Sequence, residues 1–437
     1  MTTISHLLPY TFLPGAKAIL SIMTETSTSI HLHTLPNGLT VAHEAMPWLA
    51  SVSFTLLVPV GAVTDPQGQE GGAAVLSDWL YRGAGELDSK ALSERLDGLG
   101  VRRGGGAGKE STTLSASLLA SSFEPALRLY ADVVRRPALT DTEFTGARTL
   151  AQQELASLGD SPSQQLFETL SKTYFASPHS NSAYGSEAGL AALSAQDLRT
   201  DYECRYAPAG AVLSVAGGVT WDEVKALAEE LFGDWSGAGT QLPEVRVRPA
   251  HQDHLTQETS QVHIGVAFKS AAPGDEYWYE HALAVGVLSG GMSARLFSEV
   301  REKRGLVYSV AAVGRAVRGF GYTLSYAGTT TERAEETLEV LLHELRNLSA
   351  GVSAEELERA RTGLLSKLVM QGESSGSRAS ALARDTFLLG EPRPVEALKS
   401  ALEAVTLNGL NEYLAKHYAP AFTVLTLGAK PLAEVAQ

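Results

Sequence analysis

Three positions in the segment 70–83 have the spacing of a zinc-binding motif but not its residues. They hold Ala74, Ser77 and Asp78. A zinc helix of the H-x-x-E-H type carries two histidines four residues apart, so that both imidazoles project from one face, and a glutamate that activates the metal-bound water. Because alanine has no donor atom and a serine hydroxyl is no general base near neutral pH, the sequence predicts the helix without its zinc chemistry.

Other residues that could bind a metal or act as nucleophiles form no complete motif. His31 and His33 alternate along one predicted strand without an acid at ligand spacing, and His281 lacks the first histidine of a motif. We therefore expect surface or structural roles for these histidines. The single cysteine, Cys204, excludes an internal disulfide and a Cys-based metal site, and we expect it to be a small buried residue.

The composition is that of a soluble globular protein with two or more domains. Of 437 residues, 44% are hydrophobic and 19% are charged, and no run approaches the ~18 apolar residues of a membrane span. A net charge of −14 disfavours nucleic acid and anionic membranes as partners and favours basic peptides. Residues 1–28 contain one basic residue, so we expect no secretory signal and a cytoplasmic location, with Met23 as an alternative start.

One order of strands and helices occurs twice along the chain. The corresponding segments are 51–58 and 261–268, 111–119 and 322–328, and 123–136 and 334–348. The tripeptide at 206–208, Tyr-Ala-Pro, recurs at 418–420 and precedes a strand both times. A repeat this long indicates a duplicated domain and not a solenoid unit. Thr140 with Glu143, Thr220 with Glu223, and Ser353 with Glu356 are predicted capping boxes at helix starts.

The predicted fold class is α+β with two homologous, duplicated domains. Each is a mostly antiparallel sheet with helices packed on one face, and the two together form a clamp. After the N-terminal extension 1–28, residues 29–233 form the predicted N-terminal domain, which contains the degenerate zinc helix. Residues 234–255, interrupted by glycines and prolines, form a linker, and residues 256–437 form the C-terminal domain.

A long motif in the second half identifies a family. Residues 289–309 have the sequence S-G-G-M-S-A-R-L-F-S-E-V-R-E-K-R-G-L-V-Y-S. This resembles, almost throughout, the signature G-G-x-x-S-R-L-F-x-x-x-R-E-x-x-G-L-x-Y-S of the pitrilysin family of inverted zincins, which includes the mitochondrial processing peptidase. Residues 70–83 resemble the frame of that family's zinc helix. The resemblance covers about residues 29–430, and the chain is identified as a member with a degenerate zinc motif.

The resemblance implies roles for residues that this chain retains. The family's Arg and Tyr of the second domain, which hold the substrate backbone beside the zinc, correspond to Arg301 and Tyr308. A guanidinium and a phenol are donors that can clamp or polarise a carbonyl oxygen. The family's third zinc ligand corresponds to Glu154. The strand edge that binds extended substrates corresponds to residues 102–110, whose glycines leave it either mobile or unable to bind peptide.

The resemblance also implies a shared active site. Loss of the zinc ligands with retention of Arg301 and Tyr308 matches the non-catalytic chain of two-subunit relatives. We therefore expect a substrate-binding subunit of a heterodimeric zinc endopeptidase. In that dimer a paralogous partner supplies the zinc, this chain holds no cofactor, and the substrates are unfolded or basic peptides.

Two other functions stay open at this point. Asp78 and Glu154 could hold a hard cation in an active homodimer, which metal analysis would reveal. The chain could instead be a structural scaffold that resembles the core subunits of respiratory complexes. Retention of Arg301 and Tyr308 argues against the scaffold.

Overall fold

The computed structural model of the protein describes residues 29–434. The predicted extension 1–28, with Met23, and residues 435–437 lie outside the described part. Across residues 29–434, no helix is long and apolar enough to cross a membrane.

The first half of the chain folds around a six-stranded sheet. The strands of this half are β1 (Ile30–Thr34), β2 (Thr40–Ala45), β3 (Ser51–Val58), β4 (Gly83–Ala84), β5 (Leu87–Asp88), β6 (Arg102–Ala107), β7 (Thr112–Leu119) and β8 (Val212–Gly217). Its helices are α1 (Gly72–Trp79), α2 (Ser89–Gly98), α3 (Phe123–Arg135), α4 (Asp141–Ser157), α5 (Pro162–Tyr174), α6 (Glu187–Ala192), α7 (Ala195–Arg205) and α8 (Trp221–Phe232). The sheet order is β1-β2-β8-β3-β7-β6, and only the β2–β8 pair is parallel. Strands β4 and β5 pair separately.

The second half repeats this plan around a five-stranded sheet. Its strands are β9 (Gln252–Thr256), β10 (Val262–Ser270), β11 (Val307–Val317), β12 (Phe320–Thr329) and β13 (Thr423–Gly428). Its helices are α9 (Trp278–Ser289), α10 (Ala334–Asn347), α11 (Ala354–Gly372), α12 (Ser375–Leu389), α13 (Val395–Ala404) and α14 (Leu407–Lys416). The order is β11-β12-β10-β13-β9, and only the β13–β9 pair is parallel.

Strand β3 shows how the first sheet is buried on both faces. Successive side chains of a strand point to opposite faces, and Phe54 and Leu56 belong to the large core of the first half. The opposite face carries Ser53, whose hydroxyl is 3.0 Å from that of Ser375 at the start of α12. Ser214 of β8 likewise donates to the carbonyl of Ala379 in α12, at 2.7 Å. A helix of the second half therefore covers the second face of the first sheet.

The second sheet is covered in the reciprocal way by α5 of the first half. Leu166 and Leu170 of α5 share a core with Leu425 and Leu427 of β13. The neighbouring strand β10 has a glycine at its contact with α5. A Cβ at Gly265 of β10 would lie 3.0 Å from the Leu170 side chain, so glycine lets the helix approach closely.

The predicted α+β class and its duplicated, mostly antiparallel domains are confirmed, and the exchange of α5 and α12 adds a helix to the second face of each sheet. The predicted boundaries 29–233, 234–255 and 256–437 stay a prediction. Residues 252–256, most of which fall in the predicted linker, form β9 at the edge of the second sheet.

Candidate functional site

The start of α1 is held by a buried carboxylate. Asp65 accepts hydrogen bonds from the backbone N–H groups of Gly71 (2.8 Å) and Ala73 (2.9 Å), which satisfies donors that a helix N-terminus leaves free. Burial raises the pKa of Asp65 to about 6, although Arg205 and the two N–H donors favour its ionised form. The sequence motif did not reveal this residue, because it precedes the helix by several positions.

A glycine contact fixes the position of α1 against the following segment. Gly71 has φ of +110°, and a Cβ there would lie 2.6 Å from the side chain of Leu190 on α6. Gly185 packs on the same turn, since its Cβ would lie 2.6 Å from the carbonyl oxygen of Glu70. These two positions require glycine.

The structure brings the four predicted zinc-motif positions together. Ala74, Ser77 and Asp78 of α1 and Glu154 of α4 line one cavity of about 860 Å³. Strand β6 forms another wall of the same cavity.

The residues present do not fit a zinc ion. The Ser77 hydroxyl donates to the carbonyl of Ala74 (2.8 Å), and Asp78 accepts from Nε of Arg82 (2.5 Å). Glu154 is exposed, and among residues 29–434 its carboxylate has no cationic partner. In the described chain, 29–434, no group of three or more His, Cys, Asp or Glu residues could hold a metal ion. A catalytic zinc normally has three protein ligands, which the described residues of this cavity do not provide.

Strand β6 is one of the two edge strands of the first sheet, although it is rich in glycine. It pairs with β7 from Arg102↔Ser117 to Ala107↔Thr112 without a register shift, and its other side has no strand partner within the described sheet. Gly105 has φ of +105°, and a Cβ there would lie 2.1 Å from the carbonyl oxygen of Thr113. The edge strand is therefore paired in continuous register, although Gly105 and Gly106 have positive φ, and the close pairing at Gly105 depends on glycine.

Arg301 and Tyr308 lie on the surface of the second half. Arg301 is part of a π-helical segment, Phe297–Glu302, and its guanidinium stands 4.9 Å from the Phe297 ring centroid. Within residues 29–434 its guanidinium makes no hydrogen bond or ion pair. Tyr308 is 64% exposed and sits at the β-bulge between Val307 and Ser309 on the edge strand β11. The bulge re-aims the Tyr308 side chain. Arg301 is exposed as well, so both residues present hydrogen-bond donors to solvent.

These two residues are not among those that line the 860 Å³ cavity. The substrate-binding role assigned to Arg301 and Tyr308 stays a prediction. So do the roles of Ala74, Ser77, Asp78 and Glu154.

Two local predictions were wrong. Thr140 makes no side-chain cap at the start of α4, and Glu143 instead accepts a hydrogen bond from Arg82 (3.2 Å), because the guanidinium draws its carboxylate toward α1. The capping boxes Thr220/Glu223 and Ser353/Glu356 form as predicted. Cys204 is exposed and not buried, since the buried face of α7 is formed by Leu198, Asp201 and Arg205.

Comparison with known proteins identifies the family of this chain. The family model described as Insulinase (Peptidase family M16) matches residues 40–187, and that described as Peptidase M16 inactive domain matches residues 192–364. Uncharacterized zinc protease YmxG of Bacillus subtilis (strain 168) is 27% identical over 390 residues, which cover 87% of this chain and 94% of the relative. An uncharacterized zinc protease of Mycobacterium tuberculosis (strain H37Rv) is 28% identical over 392 residues, which cover 88% of this chain and 89% of the relative.

Solved structures share the whole fold. The crystal structure described as peptidase M16 inactive domain from Pseudomonas fluorescens has a TM-score of 0.84 at 21% identity and covers 93% of this chain and 100% of that chain. A protease from Helicobacter pylori also has a TM-score of 0.84, at 17% identity, and covers 92% of this chain and 100% of that one. The chain thus has the fold of zinc-protease-like proteins: a clamp of two duplicated α+β domains with a cavity beside a free strand edge. The chain belongs to the pitrilysin family, peptidase family M16.

Proposed function

We propose that this chain is the non-catalytic, substrate-binding subunit of a heterodimeric zinc endopeptidase that cleaves unfolded peptides. A paralogous partner supplies the zinc and the H-x-x-E-H helix, and the dimer acts in the cytoplasm. One observation carries the proposal: within residues 29–434 the zinc positions have no ligand set, yet they line a cavity of about 860 Å³ beside the strand edge β6.

Chemistry on the second half supports the substrate-binding role. The Arg301 guanidinium and the Tyr308 hydroxyl are exposed donors without protein acceptors in the described chain, and a peptide carbonyl is a suitable acceptor for both. A net charge of −14 favours the approach of basic peptides and repels nucleic acid and anionic membranes.

Reconstitution tests the proposal. This chain, its zinc-bearing paralogue and an equimolar mixture are each incubated with a long, unstructured basic peptide, with and without a zinc chelator. We expect cleavage by the mixture alone and its loss with the chelator. Cleavage by the partner alone at the rate of the mixture would contradict the proposal. Chelator-sensitive cleavage by this chain alone would favour an active homodimer that uses Asp78 and Glu154.

A substitution separates substrate binding from folding. Arg301→Ala should lower the turnover of the mixture without changing the melting temperature of this chain, since Arg301 is exposed and, within residues 29–434, its guanidinium stacks on the Phe297 ring without an ion pair. Arg359→Ala is the control, because Arg359 is an exposed arginine on α11 paired with Glu355. Equal turnover rates for the two variants would show that Arg301 does not bind the substrate.

A further inference from the structure

Strand β6 carries two successive arginines that face opposite sides of the first sheet. Arg103 lies opposite Ala116 of β7, which belongs to the core of the first half. Arg102 lies opposite Ser117, whose hydroxyl is 2.9 Å from that of Ser53 on the face that α12 covers. Because directly opposed residues of paired strands point to the same face, Arg103 faces the side of α1 and Arg102 faces the side of α12.

Arg103 reaches into the cavity of about 860 Å³ beside this strand. Of the described residues that line the cavity, it is the one with a cationic side chain. Its guanidinium lies 5.9 Å from the centroid of the Tyr81 ring, a distance at which a cation and an aromatic face attract each other. Tyr81 packs edge-on against the buried Tyr130, with ring centroids 5.8 Å apart. The guanidinium is therefore placed over a ring that the core holds in position.

Arg103 has no anionic partner within the described chain. It is exposed, and among residues 29–434 its side chain makes neither an ion pair nor a hydrogen bond. A guanidinium presents its N–H donors in a planar fork that matches a carboxylate, and this binding capacity is unused here. An unpaired guanidinium on the wall of a cavity is a site for an anionic group that this chain does not supply.

The carboxylates of the cavity do not prevent an anionic group from binding there. Asp78 forms an ion pair with Arg82 at 2.5 Å, so its charge is compensated. Burial lowers the pKa of Lys109 to about 8, and the Glu168 carboxylate opposes this shift, so these two opposite charges lie near each other. Glu154 is the remaining carboxylate, and the unpaired guanidinium balances its charge. The described walls of the cavity and their neighbouring cations therefore carry no excess of negative charge.

The place of Arg103 on an edge strand determines which part of a ligand it meets. The other side of β6 has no strand partner within the described sheet, so an extended peptide can continue the sheet there. Neighbouring strands lie about 4.8 Å apart, so one side chain of such a peptide would lie within reach of the guanidinium. Successive side chains of the peptide would alternate between the cavity and the face that α12 covers.

We infer that Arg103 is a specificity-determining residue that binds a carboxylate of a peptide lying along β6. The carboxylate belongs either to an Asp or Glu side chain or to the C-terminus of the peptide. The inference rests on the proposed function in taking the ligand to be a peptide. It adds a requirement to the preference for basic peptides that the net charge of −14 favours: one carboxylate must lie on the cavity side of the edge strand.

Peptide binding to the full chain alone tests the inference. Fluorescence anisotropy measures the affinity of labelled, unstructured basic peptides that carry one Asp at successive positions, each compared with the same peptide carrying Asn. A further pair ends in a free carboxylate or in an amide, which separates the two sources of the anion. We expect an anionic peptide to bind about 5- to 10-fold more tightly than its neutral counterpart, with a smaller difference at high salt.

Variants of the two adjacent arginines identify the group responsible. Arg103→Gln removes the cation from the cavity and should abolish the preference for the anionic peptide. Arg102→Gln is the matched control, because it removes an exposed arginine of the same strand that faces the other side, and it should keep the preference. Arg103→Lys keeps a charge at this position and should keep part of the preference. Thermal unfolding of each variant checks that the fold is retained.

Three results would overturn the inference. The first is equal affinity for every anionic peptide and its neutral counterpart, or no binding of any peptide. The second is an unchanged preference in Arg103→Gln. The third is an equal loss in Arg102→Gln, which would reflect the charge of the whole strand. Failure of the proposed function is a separate result: the preference would persist in this chain while the mixture with the zinc-bearing paralogue cleaved no peptide.

Discussion

Arg378 of α12 and Glu44 of β2 form an ion pair buried between the two halves of the chain. Their closest side-chain atoms are 2.6 Å apart, and the side chains are 4% and 3% exposed. The pair lies where α12 crosses the first sheet, next to an apolar cluster that contains Ala379 of α12 and Ala42 and Ala216 of the sheet. The ion pair thus fixes the register of a second-half helix on a first-half sheet.

Removing one partner of this pair should destabilise the whole chain. Arg378→Met leaves the Glu44 carboxylate buried without a cation, which costs about 3–5 kcal/mol in other proteins. Chemical denaturation monitored by circular dichroism measures the loss. The double variant Arg378→Met/Glu44→Met should recover most of it, because no charge then remains buried. A double variant as unstable as the single one would show that the loss comes from packing.

The sequence predicted each half of the fold but not how the halves interlock. Strand β3 alternates apolar and small polar residues, and such a pattern indicates one buried face. Ser53 is buried against α12 because its hydroxyl bonds to Ser375, more than 300 residues away. Local patterns contain no information on a partner that distant, so the exchange of α5 and α12 could not be predicted.

Only those parts of the candidate site that a sequence motif marks could be predicted. Ala74, Ser77 and Asp78, which the motif spacing marks, and Glu154, which the family resemblance marks, line one cavity, and their roles stay a prediction. The bridge from Arg82 to Glu143 was missed, because Glu143 also fits a capping box with Thr140. Tertiary contacts decide whether the Glu143 carboxylate caps the helix with Thr140 or binds Arg82, and the sequence does not show these contacts.

Acid should destabilise the protein through a buried histidine of the second half. His281 is 1% exposed, and its ring nitrogens lie 3.0 Å from the Tyr413 hydroxyl and 2.8 Å from that of Thr323. Burial lowers the pKa of His281 from 6.5 to about 4. Between these values the unfolded chain binds more protons than the folded one, so stability falls as the pH is lowered from 6.5 to 4, by up to about 3 kcal/mol from this group.

Urea denaturation at several pH values between 7 and 4 measures this effect. His281→Gln should be less stable than the wild type at pH 7 but should lose less stability on acidification. His343→Gln is the control, because His343 is exposed on α10. If the pH dependence of His281→Gln equals that of the wild type, another group accounts for the acid sensitivity.

The edge strand β6 should tolerate alanine at Gly104 but not at Gly105. Gly105→Ala forces a side chain into a positive φ and against the carbonyl of Thr113, which should cost about 1–3 kcal/mol or more. At Gly104 a Cβ would meet only the Ser115 side chain, at 3.9 Å, so Gly104→Ala should be neutral or slightly stabilising. Melting temperatures compare the two variants. Equal losses would show that the strand is not paired as described.

The Tyr308 hydroxyl should matter for turnover and not for stability. Tyr308→Phe removes one donor from a side chain that is 64% exposed, so the melting temperature should not change. If the hydroxyl polarises a substrate carbonyl, kcat of the reconstituted pair should fall about 10²-fold. Steady-state kinetics of the pair measure this, with the partner alone as the background. An unchanged kcat would show that the Tyr308 hydroxyl takes no part in turnover.

Glu154 should be dispensable, in contrast to Asp78. Within the described chain its carboxylate has no ion-pair partner, and it stands on the exposed side of α4, so Glu154→Gln should change neither the melting temperature nor the metal content. Asp78→Asn should lower the melting temperature, because it weakens the ion pair with Arg82.

Both variants are also assayed in the reconstituted pair, where Glu154→Gln should cleave the basic peptide at the wild-type rate. A slower rate with an unchanged melting temperature would mean that Glu154 contacts the substrate across the cavity and is not only a remnant of the zinc site.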